Sequence, residues 1–113
     1  MSLKASVIIP SKRYEYLKIA LQTLSKQSVK PYEVIIVIKG SMIKVEKICS
    51  KYPLNCIVIE QEKGFFTHAL NIGKKEATGD ILIFMDDDAV LPKLWIEKYL
   101  KLYSKISEKV AGI

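Results

Sequence analysis

Four short apolar runs alternate with amphipathic segments along the chain. The runs occupy Ala5–Ile9, Val34–Ile38, Cys56–Ile59 and Ile81–Met85. Runs of this length that are rich in β-branched residues and bounded by Pro, Gly or polar residues are typical of buried strands. The second run consists only of valine and isoleucine, which favour strands strongly. The pattern therefore predicts four buried strands, the first of which ends at Pro10.

Helical periodicity fills the intervals between the predicted strands. Apolar residues at helical spacing predict a helix at about Tyr14–Gln27 and another at about Phe66–Glu76. Gly79 is placed to serve as the C-cap of the latter helix. Between them, a weaker helix is expected to follow Gly40–Ser41 and to end before Pro53.

The last part of the chain combines a helix with the start of a further strand. Pro92 suits the first turn of a fourth helix. The apolar side chains of that helix are available for burial, namely Leu94, Trp95, Leu100, Leu102 and Tyr103. Val110–Ile113 is apolar again and predicts the beginning of a fifth strand, so we expect these 113 residues to be the N-terminal part of a longer, truncated chain.

Strands that alternate with helices favour an α/β fold with a mostly parallel, Rossmann-like sheet and helices on both faces. Right-handed crossovers leave few topologies, and the first and fourth strands are plausible neighbours. The chain of 113 residues corresponds to a single domain.

Composition and charge narrow the class of protein further. Half of the residues are apolar and 27% are charged, which is typical of a globular domain. No apolar run is long enough to predict a transmembrane helix, and no secretory leader is visible. The net charge of +6 is spread along the chain without aromatic interleaving, so a nucleic-acid-binding module is not indicated. Cys49 and Cys56 lack metal-site spacing and are expected to be free thiols in a reducing compartment, which favours a cytoplasmic location, with the cytoplasmic membrane surface as an alternative.

Candidate binding residues follow three of the predicted strands. In open parallel sheets, ligands bind beyond the carboxyl ends of strands, at the point where the strand order reverses. The segments at such ends are Pro10–Arg13, Lys39–Ser41 and Asp86–Asp88. The first and last of these matter most if the first and fourth strands are neighbours.

The aspartate triplet supports two interpretations. Adjacent carboxylates repel one another unless a positive charge lies among them, and Mg²⁺ or Mn²⁺ commonly uses one or two carboxylates together with substrate phosphates. Alternatively, Asp86–Asp88 could cap the following helix, whose N-terminus favours negative charge. The residues alone do not separate a metal site from an acidic cap.

Several common active-site motifs are absent. The chain has no glycine-rich phosphate loop of either common type, which argues against a P-loop NTPase and a dinucleotide oxidoreductase. His68, the lone histidine, and Asn71 are interpreted as ordinary helix residues at or near the surface. No nucleophile–base pair can be assembled around His68.

Two ordered stretches resemble the family 2 glycosyltransferases. The first comprises Ser6–Ser11, Tyr16–Leu17, Leu21–Gln27, Glu33–Val37 and Gly40–Ser41, and the second comprises Gly64, Ala69–Gly73 and Ala77–Asp88. The resemblance covers about residues 5–112, and the second stretch ends at the position of the family's D-x-D motif.

The resemblance implies a glycosyltransferase A fold with strand order 3-2-1-4. It also implies an inverting hexosyltransferase that uses a UDP- or GDP-sugar donor with Mn²⁺ or Mg²⁺ and transfers the sugar to an acceptor hydroxyl. The implied donor-binding residues are Pro10, Ser11, Lys12, Arg13, Lys39, Gly40, Asp86 and Asp87, and the implied metal ligands are Asp86 and Asp88. The general base of such an enzyme is expected beyond Ile113.

The sequence departs from the family pattern in ways that bear on function. Ile38–Lys39 stands where the family has acidic residues, and Leu70 stands where it often has arginine. The loop after the first strand also lacks the family's common T-Y-N. These departures leave the donor base unassigned and keep a non-catalytic α/β binding module as the alternative; a nucleotidyltransferase is weaker, because no glycine precedes Gly40. A sheet that is cut in its next strand would leave unpaired backbone groups, so self-association as a homodimer is expected.

Overall fold

Four parallel strands form one sheet. The computed structural model describes residues 3–12, 14–61 and 66–111. The strands are β1 (Ala5–Ser11), β2 (Glu33–Ile38), β3 (Cys56–Glu60) and β4 (Ile81–Phe84), and their spatial order is β3-β2-β1-β4. All three pairings are parallel. The predicted fold class and strand order are therefore confirmed.

In the part of the chain that the structure describes, four helices alternate with the strands. They are α1 (Tyr14–Ser25), α2 (Met42–Cys49), α3 (Phe66–Glu76) and α4 (Trp95–Ala111). Ser41 is the N-cap of α2, and its side-chain oxygen accepts a hydrogen bond from the Lys44 N–H. The helix expected after Gly40–Ser41 therefore begins where its capping residue predicts.

The two faces of the sheet bury different sets of side chains. Alternate residues of β1 point to opposite faces, so Val7 and Ile9 pack with α1, α2 and the start of α4. Ile8 points to the other face and packs with Ala69 of α3. Gly73 lets α3 approach closely there, because a Cβ atom on it would lie 2.4 Å from Ile8 Cγ2. Helices thus cover both faces, as the sequence predicts.

Pro10 lies inside β1, so the prediction that the strand ends at this residue is wrong. Ile8 O accepts from the Met85 N–H on the β4 side at 3.0 Å, whereas Ser11 O accepts from the Lys39 N–H on the β2 side at 2.8 Å. Backbone groups of alternate residues point to the same side of a strand, so the backbone nitrogen of Pro10, like the backbone of Ile8, faces the β4 side. Since β4 has already ended at Phe84, no ladder donor is needed there, and proline is tolerated.

The fourth helix begins at Trp95, beyond Pro92, so the placement of Pro92 in its first turn is wrong. Gln27, which follows α1 and is buried, fixes the preceding turn. Its Nε2 donates to Pro92 O at 2.7 Å, and its Oε1 accepts from the Ile96 N–H at 3.0 Å. The side chain of Gln27 therefore caps α4 from outside the helix, which local sequence does not reveal.

Among the described side chains of α4, those that are buried lie in its N-terminal part. Ile96 is fully buried, but Leu94 and Tyr103 are exposed and Leu102 retains 54% of its accessible surface, so the expected burial of these three residues is wrong. Among the described side chains of α4, Leu100 is the last that packs against the buried cluster.

Two further predictions near the ends of helices are also wrong. Gly79 does not cap α3, which ends at Glu76; instead its N–H donates to Ser6 Oγ at 2.8 Å. Val110 and Ala111 continue α4 rather than starting a strand, because the amphipathic helical pattern extends through them. The remainder of that predicted strand, Gly112–Ile113, lies outside the described residues.

Two thiols lie together where α2 leads into β3. Cys49 and Cys56 are both free. The hydrogen bond from the Cys56 thiol lowers the pKa of Cys49, although burial opposes ionisation, and the same bond together with burial raises the pKa of Cys56.

No helix within residues 3–12, 14–61 and 66–111 combines the length and apolar character needed to cross a bilayer.

Candidate functional site

The carboxyl ends of β1 and β4 meet where the strand order reverses. β2 and then β3 lie on one side of β1, and β4 lies on the other side. This is the position at which open α/β sheets form a crevice for ligands. We refer to the residues around it, Ser11, Lys39, Gln61 and Asp86–Asp88, as the carboxyl end of the sheet.

The register of β1 and β4 brings Ser11 opposite Asp87. Ile8 pairs with Phe84, and each further step along both strands advances the pairing by one residue. Beyond the last paired residues, Ser11 Oγ donates to Asp87 Oδ2 at 2.9 Å. Both residues are buried, with exposed fractions of 6% and 8%. A side-chain hydrogen bond therefore joins the two strands after their backbone ladder has ended.

The aspartate triplet forms a turn that directs its members to different sides. The Ala89 N–H donates to Asp86 O at 3.2 Å, which closes the turn. Asp87 is buried against β1, whereas Asp86 and Asp88 are exposed. Helix α4 begins only at Trp95 and has Glu97 in its first turn. The interpretation of the triplet as an acidic cap of the next helix is therefore wrong.

The exposed carboxylates fit a divalent ion only if other ligands complete its shell. Among residues 3–12, 14–61 and 66–111, no three His, Cys, Asp or Glu side chains converge into a group that could hold a metal by themselves. Asp86 and Asp88 nevertheless offer exposed oxygen donors on one turn. This donor set suits Mg²⁺ or Mn²⁺, which commonly combines one or two carboxylates with phosphate and water oxygens.

The end of β2 lies beside Ser11 and provides positive charge. The Lys39 N–H donates to Ser11 O, and the Lys39 side chain is half-buried. Gly40 follows in an exposed position, and Lys12, at the end of β1, is also exposed. Arg13, the remaining residue predicted for this site, lies outside the described residues.

Gln61 is a polar residue of this region that sequence reasoning missed. It follows β3, is buried, and its N–H donates to Ile38 O at 2.9 Å. Its position directly after an apolar strand is the same signal that identified the other candidate segments. By contrast, His68 and Asn71 on α3 are exposed, in agreement with their interpretation as ordinary surface residues.

Glu33, at the opposite end of the sheet, is a second buried polar residue that was missed. It is 2% exposed, and its carboxylate accepts from Ser6 Oγ at 2.6 Å, Thr78 N at 2.7 Å and Thr78 Oγ1 at 3.0 Å. Burial raises the pKa of Glu33, but these bonds and the Gly79 N–H outweigh it, so the net pKa is lowered. A lone glutamate that opens an apolar strand gives no signal of such a network.

Comparisons with known proteins agree with this arrangement. The family model described as glycosyl transferase family 2 matches residues 6–112. Among curated proteins, the chain is 35% identical over 97 residues to "Uncharacterized glycosyltransferase YwdF" of Bacillus subtilis (strain 168), an alignment that covers 84% of this chain and 36% of that protein.

Two solved structures are similar over most of the chain. S. aureus TarS 1-349 in complex with UDP gives a TM-score of 0.76 at 28% identity, covering 91% of this chain and 32% of that one. The mannosyltransferase PcManGT from Pyrobaculum calidifontis, in complex with GDP-Man and Mn²⁺, gives 0.71 at 25% identity, covering 81% and 29%. The chain therefore spans about a third of the length of these relatives.

Proposed function

Because this chain belongs to glycosyl transferase family 2, we propose that it binds a nucleoside diphosphate sugar at the carboxyl end of its sheet. Its sheet order and its likeness to solved family structures confirm the glycosyltransferase A fold that the sequence resemblance implied. In this proposal, the chain is the donor-binding, N-terminal part of an inverting glycosyltransferase that moves a hexose to an acceptor hydroxyl.

One observation carries the proposal most directly. The turn of Asp86–Asp88 lies where the strand order reverses, and Ser11 holds it against β1. Two of its carboxylates are exposed beside the ends of β1 and β2. Similar proteins solved in complex with UDP and with GDP-Man and Mn²⁺ support a nucleotide donor for this chain, without deciding which base it prefers.

Different residues of the carboxyl end would contact different parts of the donor. Asp88 and Asp86 would hold Mn²⁺ or Mg²⁺, and such an ion, when bound, would offset the negative charge of the diphosphate leaving group. Lys39, Lys12 and Arg13 would draw the anionic donor toward the crevice, since clustered cations raise the local concentration of phosphates. Pro10, Ser11 and Gly40 would line the same end through their backbone.

Transfer itself requires groups that we assign to no residue of this chain. An inverting reaction needs an acceptor hydroxyl to attack the sugar from the face opposite the diphosphate, and a base to remove its proton. Because the relatives extend well beyond the matched region, we propose that this base lies outside residues 1–113.

Thermal unfolding with nucleotides tests the donor site. The 113-residue chain is melted with UDP, GDP and their sugars, each with and without Mn²⁺. A ligand at 100 times its Kd stabilises the folded state by about 2.7 kcal/mol, which is readily seen as a rise in Tm. We expect one nucleotide to raise the Tm only with metal, and Asp88→Ala to abolish the rise. Glu46→Ala, an exposed carboxylate on α2, is the matched control and should keep it.

The same experiment separates the alternative function. If no nucleotide raises the Tm of a folded sample, the donor proposal fails. The lysine at position 39, where the family has an acidic residue, then becomes the first position to examine. The chain would in that case be better described as a non-catalytic α/β binding module.

Two further predictions complete the proposal. The free thiols Cys49 and Cys56 support a cytoplasmic location, where thiols stay reduced.

Self-association remains a prediction. Within the described residues, β4 is an outer strand whose Phe84 is half exposed, and such an edge can pair with another copy of the chain. Sedimentation that stays monomeric at high concentration would contradict it.

A further inference from the structure

We propose that Asp87 is a positioning residue for the donor site and not one of its ligands. Its buried carboxylate, held by Ser11, fixes the acidic turn so that Asp86 and Asp88 stay exposed toward the crevice. This inference rests on the proposed function and differs from the role of direct donor contact that the sequence resemblance implied for Asp87.

The first argument is where the strand ladder stops. The last backbone bond between the two strands joins the Met85 N–H to Ile8 O. Pro10 has no N–H, so it cannot donate to the segment that follows β4. Just beyond this gap, the Ser11–Asp87 bond restores a connection between the strands. The acidic turn is thus tied to β1 by a side-chain bond just past the point where Pro10 can donate no backbone hydrogen bond.

The second argument is the alternation of exposure through the turn. Met85 and Asp87 are buried, whereas Asp86 and Asp88 are exposed. With Asp87 anchored inward in the turn, Asp86 before it and Asp88 after it are left exposed. Loss of the anchor would allow the turn to rotate and would cost the two outer carboxylates their common direction.

The third argument is chemical and makes the inference testable. An asparagine at position 87 has a carbonyl oxygen that can accept a hydrogen bond from the Ser11 hydroxyl, but its side chain carries no charge. Positioning through Ser11 needs only this acceptor, whereas a metal ligand needs the charge of the carboxylate. Asp87→Asn therefore separates the two roles, and Asp87→Ala removes both.

Binding of UDP with Mn²⁺ to a set of variants provides the first readout. We expect Asp87→Ala and Ser11→Ala each to weaken binding about tenfold, the lower end of the range for groups that orient ligands indirectly. The double variant should be no weaker than Asp87→Ala alone, because that variant has already lost the Ser11–Asp87 bond. Asp87→Asn should stay within about threefold of the wild type, and Glu46→Ala should match it.

Hydrogen exchange of the ligand-free protein provides the second readout. The Ala89 N–H closes the acidic turn by donating to Asp86 O. We expect this amide to exchange faster in Asp87→Ala and Ser11→Ala, and at the wild-type rate in Asp87→Asn. If Asp87→Ala does not fold, Ser11→Ala and Asp87→Asn still give the comparison.

The outcomes distinguish this inference from the proposed function. If Asp87→Asn loses as much affinity as Asp88→Ala, then Asp87 is a ligand and the positioning role is overturned. If Asp87→Ala and Ser11→Ala bind as the wild type does, the positioning role is overturned while the donor site stands. A wild-type protein that binds neither UDP nor GDP in the presence of Mn²⁺ overturns both.

Discussion

At each end of the β1–β4 pair, an aspartate carboxylate accepts a hydrogen bond from the residue that lies opposite it. The residues around these two bonds differ. At the amino end, the Lys4 N–H donates to Asp80 Oδ2 at 2.8 Å; at the carboxyl end, Ser11 Oγ donates to Asp87 Oδ2 at 2.9 Å. Each aspartate lies directly across the register from its partner, just outside the paired residues. The difference between the ends therefore lies in the neighbouring residues.

At the amino end, the buried polar side chains are matched by hydrogen-bond partners. Glu33 accepts from Ser6 and Thr78, and Ser6 in turn accepts from the Gly79 N–H. Gly79 has no room for a side chain, because a Cβ atom on it would lie 2.4 Å from Ser6 Oγ and 2.8 Å from Lys4 O. This end is a closed network in which buried charge is matched by donors, which is how structural polar groups are stabilised.

At the carboxyl end, only the middle aspartate is drawn inward. Its two neighbours in the triplet keep their carboxylates exposed, and Lys12 and Lys39 lie at the ends of β1 and β2. Like charges held side by side weaken a fold unless a ligand or ion offsets them. The comparison indicates that the polar groups of the amino end contribute to stability, whereas the exposed carboxylates of the carboxyl end fit the proposed binding role.

The largest expected effect is loss of the amino-end network. Glu33→Ala should lower the free energy of unfolding by about 3 kcal/mol, because several buried donors lose a charged acceptor. Glu33→Gln should cost less, since its carbonyl oxygen still accepts. Urea denaturation at neutral pH measures both. Loss below about 0.5 kcal/mol for Glu33→Ala would show that the two ends do not differ in this way.

A smaller effect follows from the lowered pKa of Glu33. A carboxyl whose pKa is lower in the folded than in the unfolded protein stabilises the fold above its ordinary value near 4.5 and loses that effect as the pH falls through the folded pKa. The difference in unfolding free energy between the wild type and Glu33→Gln should therefore be greatest near pH 7 and shrink toward pH 3. A difference that grows as the pH falls would contradict the assigned direction.

The smallest effect on stability is expected at the exposed carboxylates. Asp88→Ala should change the free energy of unfolding by less than about 0.5 kcal/mol, because this side chain is exposed and its removal relieves repulsion. Urea denaturation without added metal measures it. A loss comparable to that of Glu33→Ala would mean that Asp88 is structural.

Sequence reasoning predicted the elements well because their apolar periods are local. The four strands and the four helices follow from patterns within about fifteen residues, whereas the order of the sheet was implied by the family resemblance. The predicted cap at Gly79 failed because this glycine is required by a distant contact with Ser6. The start of α4 failed for the same reason, since Gln27 defines it from across the fold.

The candidate site was predicted in position but not in arrangement. The polar segments that follow the apolar runs are visible in the sequence. These segments contain Ser11, Lys39 and the aspartate triplet. Three consecutive aspartates look equivalent in a sequence. Only the register of β1 against β4 shows that Asp87 turns inward to Ser11 while its neighbours stay exposed.

The central claim is that the nucleotide binds at the carboxyl end of the sheet, and backbone amide chemical shifts test it most directly. UDP and GDP are titrated with Mg²⁺, which leaves the spectrum free of paramagnetic broadening. We predict that one nucleotide shifts the amides of Ser11–Lys12, Lys39–Ser41 and Asp86–Ala89 while those of Glu33 and Thr78 stay in place. Shifts confined to the amino end, or to any other surface, would contradict the account.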